Sequence, residues 1–348
     1  MKILVDAFIE KNFGDDLFLK IVFERYSETI EWYIITDSEE KLDAFKAYKN
    51  VYLYNRKKHN IWNFDGVLNI GGSIFMQNGK RWIRQLLSRL RYALPMKLKG
   101  KPVYILGCNY GPSNSNLMYK SNKLYIKHFV KDICFRDQES YGLFKTIKQA
   151  RVASDIVYSL KCNHQNINED KKIGISIMNF DDQQVNKDLV NKLAEISNHY
   201  ISKGYSIDYL AFCENQNDVE TYRAIEQKIS DTSKKNINLN IYQGNIDNYL
   251  DSMQNLQYII TLRFHSLILA QVLGKNYYPI VYSKKTTNIL IDQEYKGQFT
   301  KVEDIAQLKL SDVVAKLEKN RIPIKQSVVD QANSHFEKLD EYIGEFSS

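Results

Sequence analysis

The chain has 348 residues, enough for about two domains at roughly 150 residues each. Its 44% apolar and 26% charged content is ordinary for a globular protein and excludes disordered, collagen-like and coiled-coil classes. Lys and Arg exceed Asp and Glu by 48 to 41, a mild excess of +7 whose placement matters more than its size. The four cysteines, at 108, 134, 162 and 213, form no C-x-x-C pair and fit a reducing compartment. No stretch reaches the ~18 apolar residues of a membrane span, and the opening MKILVDAFIEKN is too short and polar for a secretion signal. The expectation is a cytoplasmic protein, able to dock peripherally on the inner face of the cell membrane.

Short apolar runs alternate with amphipathic helices along the first half. Ile3–Val5 reads as a strand, followed by a loop through Asn12 and Gly14 and a helix opened by Asp15, whose stripe is Leu17, Phe18, Ile21 and Val22. Further strands are predicted at Trp32–Ile35, Val51–Tyr54, Gly66–Ile70, Pro102–Leu106 and Asp132–Phe135. The polar stretch Lys161–Lys171 reads as a linker. Beyond it the alternation resumes, with strands at Ile173–Ile177, Ser206–Leu210, Asn238–Tyr242, Tyr258–Thr261 and Tyr277–Val281. Helices are expected near 183–203, 216–229, 246–253, 265–273 and 303–319, and one long closing helix near 325–346. Strand–helix alternation of this kind predicts parallel, doubly wound sheets. The expected organisation is α/β: a Rossmann-like domain over 1–162, a second over 163–325, and a C-terminal helix over 326–348. Two such domains with a central crevice at the carboxyl ends of their strands resemble the GT-B architecture of glycosyltransferases.

Several local patterns suit an anionic ligand. Thr261-Leu-Arg263-Phe-His265-Ser266 lies where a strand meets a helix, and backbone N–H groups there favour an anion. Arg263 adds a planar fork for carboxylate or phosphate, and His265 a proton donor or acceptor near neutral pH. The plainer reading is a structural ion pair for Arg263 and a helix-start role for His265. In Phe135-Arg136-Asp137-Gln138-Glu139-Ser140, Arg136 is a second candidate clamp, while Asp137 and Glu139 suit capping and the helix dipole. Three glycine turns follow first-half strands: Asn12-Phe-Gly14-Asp15-Asp16, Gly71-Gly72-Ser73 and Gly107-Cys-Asn109-Tyr-Gly111-Pro112. None is a G-x-G-x-x-G or P-loop pattern, so they indicate no nucleotide site. Lys285, in Lys284-Lys285 after a strand, could reach a phosphate or simply be solvated. The segment Lys80–Lys101 holds eight basic residues and no acidic one, interleaved with Trp82, Ile83, Leu86, Leu87 and Leu90 at helical spacing. That pattern suits an anionic membrane surface or a helix with a solvated basic face. No nucleic-acid motif is present, and no metal-ligand cluster is evident.

Together these motifs resemble the polysaccharide pyruvyl transferase family: N-F-G-D-D, G-G-S, G-C-N-Y-G-P, F-R-D-Q-E-S, and T-L-R-F-H-S with Y-S-K-K, in order from about residue 2 to 290. The chain departs from the family in Asp16, where Glu is common, and in lacking a third glycine after Gly71-Gly72. The resemblance implies a GT-B-like fold, with an acceptor side in the first domain and a donor side in the second. It implies transfer of a pyruvyl group from phosphoenolpyruvate to two hydroxyls of a sugar, as a cyclic ketal, without cofactor or metal. The acceptor would belong to a surface polysaccharide or its lipid-diphosphate-linked precursor. Functional positions would fall on Arg136, Arg263, His265 and Lys285, with Ser266, Asn12, Gly14, Asp15, Gly71, Gly72, Ser73 and Asn109 lining the substrates. The chemistry agrees, since a molecule carrying both carboxylate and phosphate needs several cations, and protonation of its methylene needs an acid–base group such as His265. The alternatives are a nucleotide-sugar glycosyltransferase, against which counts the lack of any Glu from 240 to 275, and an inactive scaffold in polysaccharide assembly.

Overall fold

The computed structural model describes every residue except 77, 78, 80, 112–114, 163–170, 214–216, 296, 320–323 and 348. Most of the expected linker therefore lies outside the described residues. The chain divides into two compact units. The first is Met1–Ile9, Asp15–Ser159 and Gln326–Ser348; the second is Glu10–Gly14 and Leu160–Lys325.

The first unit is built on β1 (Lys2–Ala7), β2 (Glu31–Ile34), β3 (Val51–Leu53), β4 (Gly66–Ile70), β5 (Val103–Cys108), β6 (Asp132–Phe135) and β7 (Ala150–Val152). They form one parallel sheet in the order β3-β2-β1-β4-β5-β6-β7. Every residue of β4, β5 and β6 is buried, as a sheet covered on both faces requires. The covering helices include α1 (Phe13–Arg25), α2 (Arg81–Leu98), α3 (Asn116–Phe129) and α4 (Gln138–Phe144). Helix α1 starts two residues before Asp15. Helix α3 was not anticipated; Ser115 caps it by accepting from the Met118 N–H at 3.1 Å.

The second unit contains β8 (Lys172–Ser176), β9 (Ser206–Ala211), β10 (Ile237–Ile241), β11 (Tyr258–Thr261), β12 (Asn276–Val281) and β13 (Thr300–Lys301), in the order β10-β9-β8-β11-β12-β13. Its helices are α5 (Gln183–Ser202), α6 (Asp218–Glu226), α7 (Ile246–Gln254), α8 (Phe264–Val272), α9 (Lys284–Asp292) and α10 (Leu310–Leu317). Both sheets thus share the doubly wound order in which the first strand lies beside the fourth. Ligands in such sheets bind beyond the carboxyl ends where the order reverses, here beside β1/β4 and β8/β11. A core of Ile175, Leu193, Tyr209, Ile260 and their neighbours supports the second of these points.

Two expectations about local structure are corrected. The helix expected over 303–319 is a 3₁₀ turn, Val302–Gln307, followed by α10. The closing helix expected over 325–346 is two helices, Gln326–Ser334 and Glu337–Ser347. Arg151 explains the break: paired with Asp132 at 2.7 Å, it donates to the carbonyls of Ser334 and His335, satisfying groups that a continuous helix would use itself. At the break, His335 is fully buried with Nε2 2.7 Å from the Ser154 carbonyl. Burial pushes its pKa down to about 3.

Candidate functional site

The second unit presents two helix N-termini side by side. β11 and β12 are parallel neighbours, so α8 and α9, which follow them directly, both point their N-termini to the carboxyl edge of the sheet. The partial positive charge at such ends favours anions. Leu267–Val272 of α8 are buried, so this terminus is held by the core rather than carried on a mobile loop.

Arg263 is the N-cap residue of α8 and is fastened on all sides. Its N–H donates to Ser176 Oγ at 2.9 Å, tying β11 to β8 where the strand order reverses. Its guanidinium ion-pairs with Asp218, the first residue of α6, and donates to the Ile177 carbonyl at 3.3 Å. The second Asp218 oxygen accepts from the N–H groups of Phe212 and Cys213, at 3.1 and 3.3 Å. Burial pushes the Asp218 carboxyl pKa up, and the Arg263 charge opposes that push. Ser266 is equally internal, with Oγ donating to the Arg263 carbonyl at 2.6 Å. One buried pair thus knits the ends of β8, β9 and β11 together.

His265 is half-buried in the first turn of α8, its ring edge-on to Phe264 at 5.0 Å. Beneath it lies Gly14: a Cβ built there would overlap the imidazole ring around Nδ1. The turn beneath is shaped by Asn12, whose Oδ1 accepts from the Gly14 N–H at 3.1 Å. It is anchored by Phe13, fully buried against Tyr249, Tyr242 and Phe212 at 4.5, 5.0 and 5.4 Å, with its N–H donating to the Phe212 carbonyl at 3.0 Å. The glycine in N-F-G-D-D is therefore required by close approach. Lys285 lies in the first turn of α9, its Nζ 5.6 Å from the Phe264 ring centre and 5.7 Å from that of Tyr282. An imidazole and an ammonium so flank one phenyl ring between two helix N-termini. That arrangement can take an anion and exchange a proton with it.

In the first unit, three motifs meet in one buried network. Arg136 follows β6 and lies over Gly72, where a Cβ would collide with the guanidinium. It ion-pairs with Asp155 at 2.9 Å, both side chains almost fully buried, and donates to Asn109 Oδ1 at 2.8 Å. Asn109 returns its N–H to the Gly72 carbonyl at 2.7 Å. Gly71 has φ +144°, which side chains rarely adopt, and Ser73 is half-buried beyond it. Asp137 caps α4, accepting from the Ser140 N–H at 2.7 Å. Asp15 and Asp16 lie in the first turn of α1, where the helix dipole favours carboxylates.

The basic segment forms α2, but its charges are not all outward. Lys80 lies outside the described residues. Arg89 is buried, stacked 4.5 Å from the Phe75 ring centre and bonded to the Ile74 carbonyl. Lys99 donates to the carbonyls of Trp62 and Phe64, and Lys101 pairs with Asp65 at 3.2 Å. Arg81, Arg84, Arg91 and Lys97 remain exposed.

Sequence reasoning passed over Asp155 and Asp218, the anions that hold Arg136 and Arg263. Neither stands in a recognisable motif, and an aspartate starting a helix, like Asp218, reads first as a capping group. It also passed over Phe264 and Tyr282, which place Lys285. Among the described residues no group of three or more His, Cys, Asp or Glu side chains could hold a metal ion.

The fold and the strand-end sites define a GT-B-like α/β protein of two Rossmann-like units. The chain belongs to the polysaccharide pyruvyl transferase family, whose sequence profile matches residues 12–284. No curated protein matches it significantly in sequence. Among solved structures, it is similar to the UDP-GlcNAc 2-epimerase of Neisseria meningitidis at 12% identity and TM-score 0.60, over 98% of this chain and 100% of that one. The UDP-GlcNAc 2-epimerase of Methanocaldococcus jannaschii gives 11%, 0.61, and 98% and 99%. Anabaena Alr3699/HepE in complex with UDP gives 10%, 0.58, and 99% and 98%. At such identities the likeness is one of fold.

Proposed function

We propose that the protein is a ketal-forming pyruvyltransferase that binds phosphoenolpyruvate at the paired N-termini of α8 and α9. The observation that carries this reading is the seating of His265 on Gly14, with Lys285 across the shared Phe264 ring. Lys285 and the two helix termini supply the positive field that carboxylate and phosphate require. His265, held at one orientation, delivers a proton to the methylene carbon as a sugar hydroxyl adds to C2 of the enol. The neutral imidazole then takes up the proton lost by that hydroxyl, and a second hydroxyl, its proton leaving with the phosphate, displaces inorganic phosphate from C2 and closes the ketal. Arg263 acts from behind by fixing the turn that presents His265, and Arg136 likewise fixes the Gly71–Ser73 turn.

The acceptor is a sugar of a surface polysaccharide or its lipid-linked precursor, and the exposed cations of α2 suit an anionic membrane surface. Among the described residues no helix is long and apolar enough to cross a membrane.

The test is a thermal-shift panel on the full chain. Phosphoenolpyruvate should raise the melting temperature, and Lys285→Met should abolish the rise. A shift with a UDP-, GDP- or CMP-sugar and none with phosphoenolpyruvate would replace this reading with nucleotide-sugar transfer.

A further inference from the structure

A second cationic site lies within the first unit, beyond the end of β3. The chain leaves Leu53 through Tyr54 into a tight turn in which the N–H groups of Lys58 and His59 both donate to the Asn55 carbonyl, at 3.0 and 2.8 Å. The Lys57 N–H donates to Asn55 Oδ1 at 2.9 Å, and His59 Nδ1 accepts from the Asn55 N–H at 3.0 Å. This folding of the turn gathers Arg56, Lys57 and Lys58 around a cavity of about 350 Å³, which Arg91 and Tyr92 of α2 also line. Tyr54 and Tyr92 are buried, with their rings edge-on at 6.0 Å. Both phenols lie in the field of Arg56 and Arg91, which opposes the upward push of burial on each, and all four residues line the one cavity. The lining includes no acidic side chain, and among the described residues none of the four cations makes an ion pair. Like charges gathered without a counterion repel, and a multivalent anion relieves that repulsion.

Helix α2 indicates what such an anion carries. Its inner face, Arg89, Tyr92, Ala93 and Met96, is buried. Its outer face is also apolar: Ile83, Leu87, Leu94 and Leu98 are exposed, Leu87 at 61% and Leu98 at 69%. With 3.6 residues per turn, these four and Arg91 fall within an arc of about 80°. The neighbouring α3 adds exposed Leu117 and Leu124. A soluble protein gains nothing by presenting such a ridge to water. A cation set in a leucine stripe, at the mouth of a cationic cavity, matches a phosphate group attached to a hydrocarbon chain.

We propose that this cavity is a subsite for a diphosphate borne on a lipid, with the diphosphate among Arg56, Lys57, Lys58 and Arg91 and the hydrocarbon lying along the outer stripe of α2. The proposal rests on the reading of the protein as a sugar-modifying transferase only in taking the lipid diphosphate to be the acceptor's carrier. The cavity is lined by first-unit residues alone and includes none of the donor residues.

The test measures binding by the full chain to geranylgeranyl diphosphate in phosphatidylcholine vesicles, with inorganic pyrophosphate and UDP as soluble probes. The lipid diphosphate is expected to bind at least tenfold more tightly than pyrophosphate, and both to weaken as salt rises. The double variant Arg56→Ala/Arg91→Ala should lose at least tenfold for both probes, whereas Leu87→Asn/Leu94→Asn should lose it for the lipid alone. All four positions are exposed, so melting temperatures should be preserved. Wild-type binding by Arg56→Ala/Arg91→Ala, or equal binding to vesicles with and without the diphosphate, overturns the proposal. UDP binding as tight as the lipid's overturns the lipid assignment in favour of a nucleotide. The thermal shift with phosphoenolpyruvate should be unchanged in both double variants, so failure here and failure of the donor reading are separately visible.

Discussion

Gly14 lies directly beneath the imidazole of His265, with no room between them for a methyl group. Two residues far apart in sequence thereby fix one ring. Gly14→Ala should leave the fold intact, because the displaced group is a side chain rather than backbone, but it must swing the ring aside. Misplacing a catalytic group by about 1 Å can cost about 10²-fold. Phosphate release from phosphoenolpyruvate with a galactose- or mannosamine-type acceptor should fall by that order, at an unchanged melting temperature. Turnover equal to wild type would mean that the ring's position does not matter to the reaction.

His265→Gln keeps size and hydrogen bonding but cannot carry a proton near neutral pH. Turnover should drop by about 10²–10⁴-fold while phosphoenolpyruvate still raises the melting temperature, since Lys285 and the helix termini remain. Joint loss of binding and turnover would make His265 a donor ligand instead of the proton carrier.

The Arg263–Asp218 pair is almost wholly buried, so either partner left alone is an uncompensated internal charge. Arg263→Met should cost about 3–5 kcal/mol in denaturant unfolding, and Arg263→Met/Asp218→Leu distinctly less than the sum of the single changes. Strict additivity would mean that the two side chains are not coupled. Because the pair fixes the turn carrying His265, Arg263→Lys should also weaken phosphoenolpyruvate binding.

His335 predicts an acid weakness of the first unit. Its imidazole, titrating near 6.5 when unfolded, is pushed by burial down to about 3 in the fold. Between these values the unfolded chain holds a proton that the folded chain refuses. The stabilising contribution is therefore complete above pH 6.5 and is lost as the pH falls toward 3. At about 1.4 kcal/mol per pH unit, the loss by pH 5 is about 2 kcal/mol. His335→Gln, which can still donate to the Ser154 carbonyl, should show a flatter decline in urea midpoint between pH 7 and 5. Parallel declines in the two proteins would assign the effect to other groups.

The parallel sheets were legible because buried parallel strands are continuous apolar runs: Gly66–Ile70 and Asp132–Phe135 have the bounds the sequence suggested. β7 and β13 were not, because three and two residues carry no periodicity and Arg151 interrupts the first. α9 was hidden by its opening, Lys284-Lys285-Thr286-Thr287, which reads as solvated chain until Thr286, Ile289 and Leu290 are seen buried. The closing segment reads as one continuous helix because its break depends on Arg151, which is distant in sequence. The site motifs stood out as strings, yet which of their charges face inward did not. Arg136 and Arg263 are taken up by Asp155 and Asp218, and that pairing is a property of the folded chain, not of either motif.

Phe13 fills its recess among Phe212, Tyr242 and Tyr249 from a distant part of the sequence. A ribosome releases Phe13 long before β9, β10 and α7 exist to receive it, so the unit that carries His265 completes itself by recapturing a turn synthesised well before the rest of it. A gene fragment beginning at Leu160 would encode every strand of that sheet and still leave an aromatic hollow and an imidazole with nothing behind it. The half bearing His265 is thus not a contiguous cassette, and recombination that exchanges it with a relative must carry residues 10–14 along.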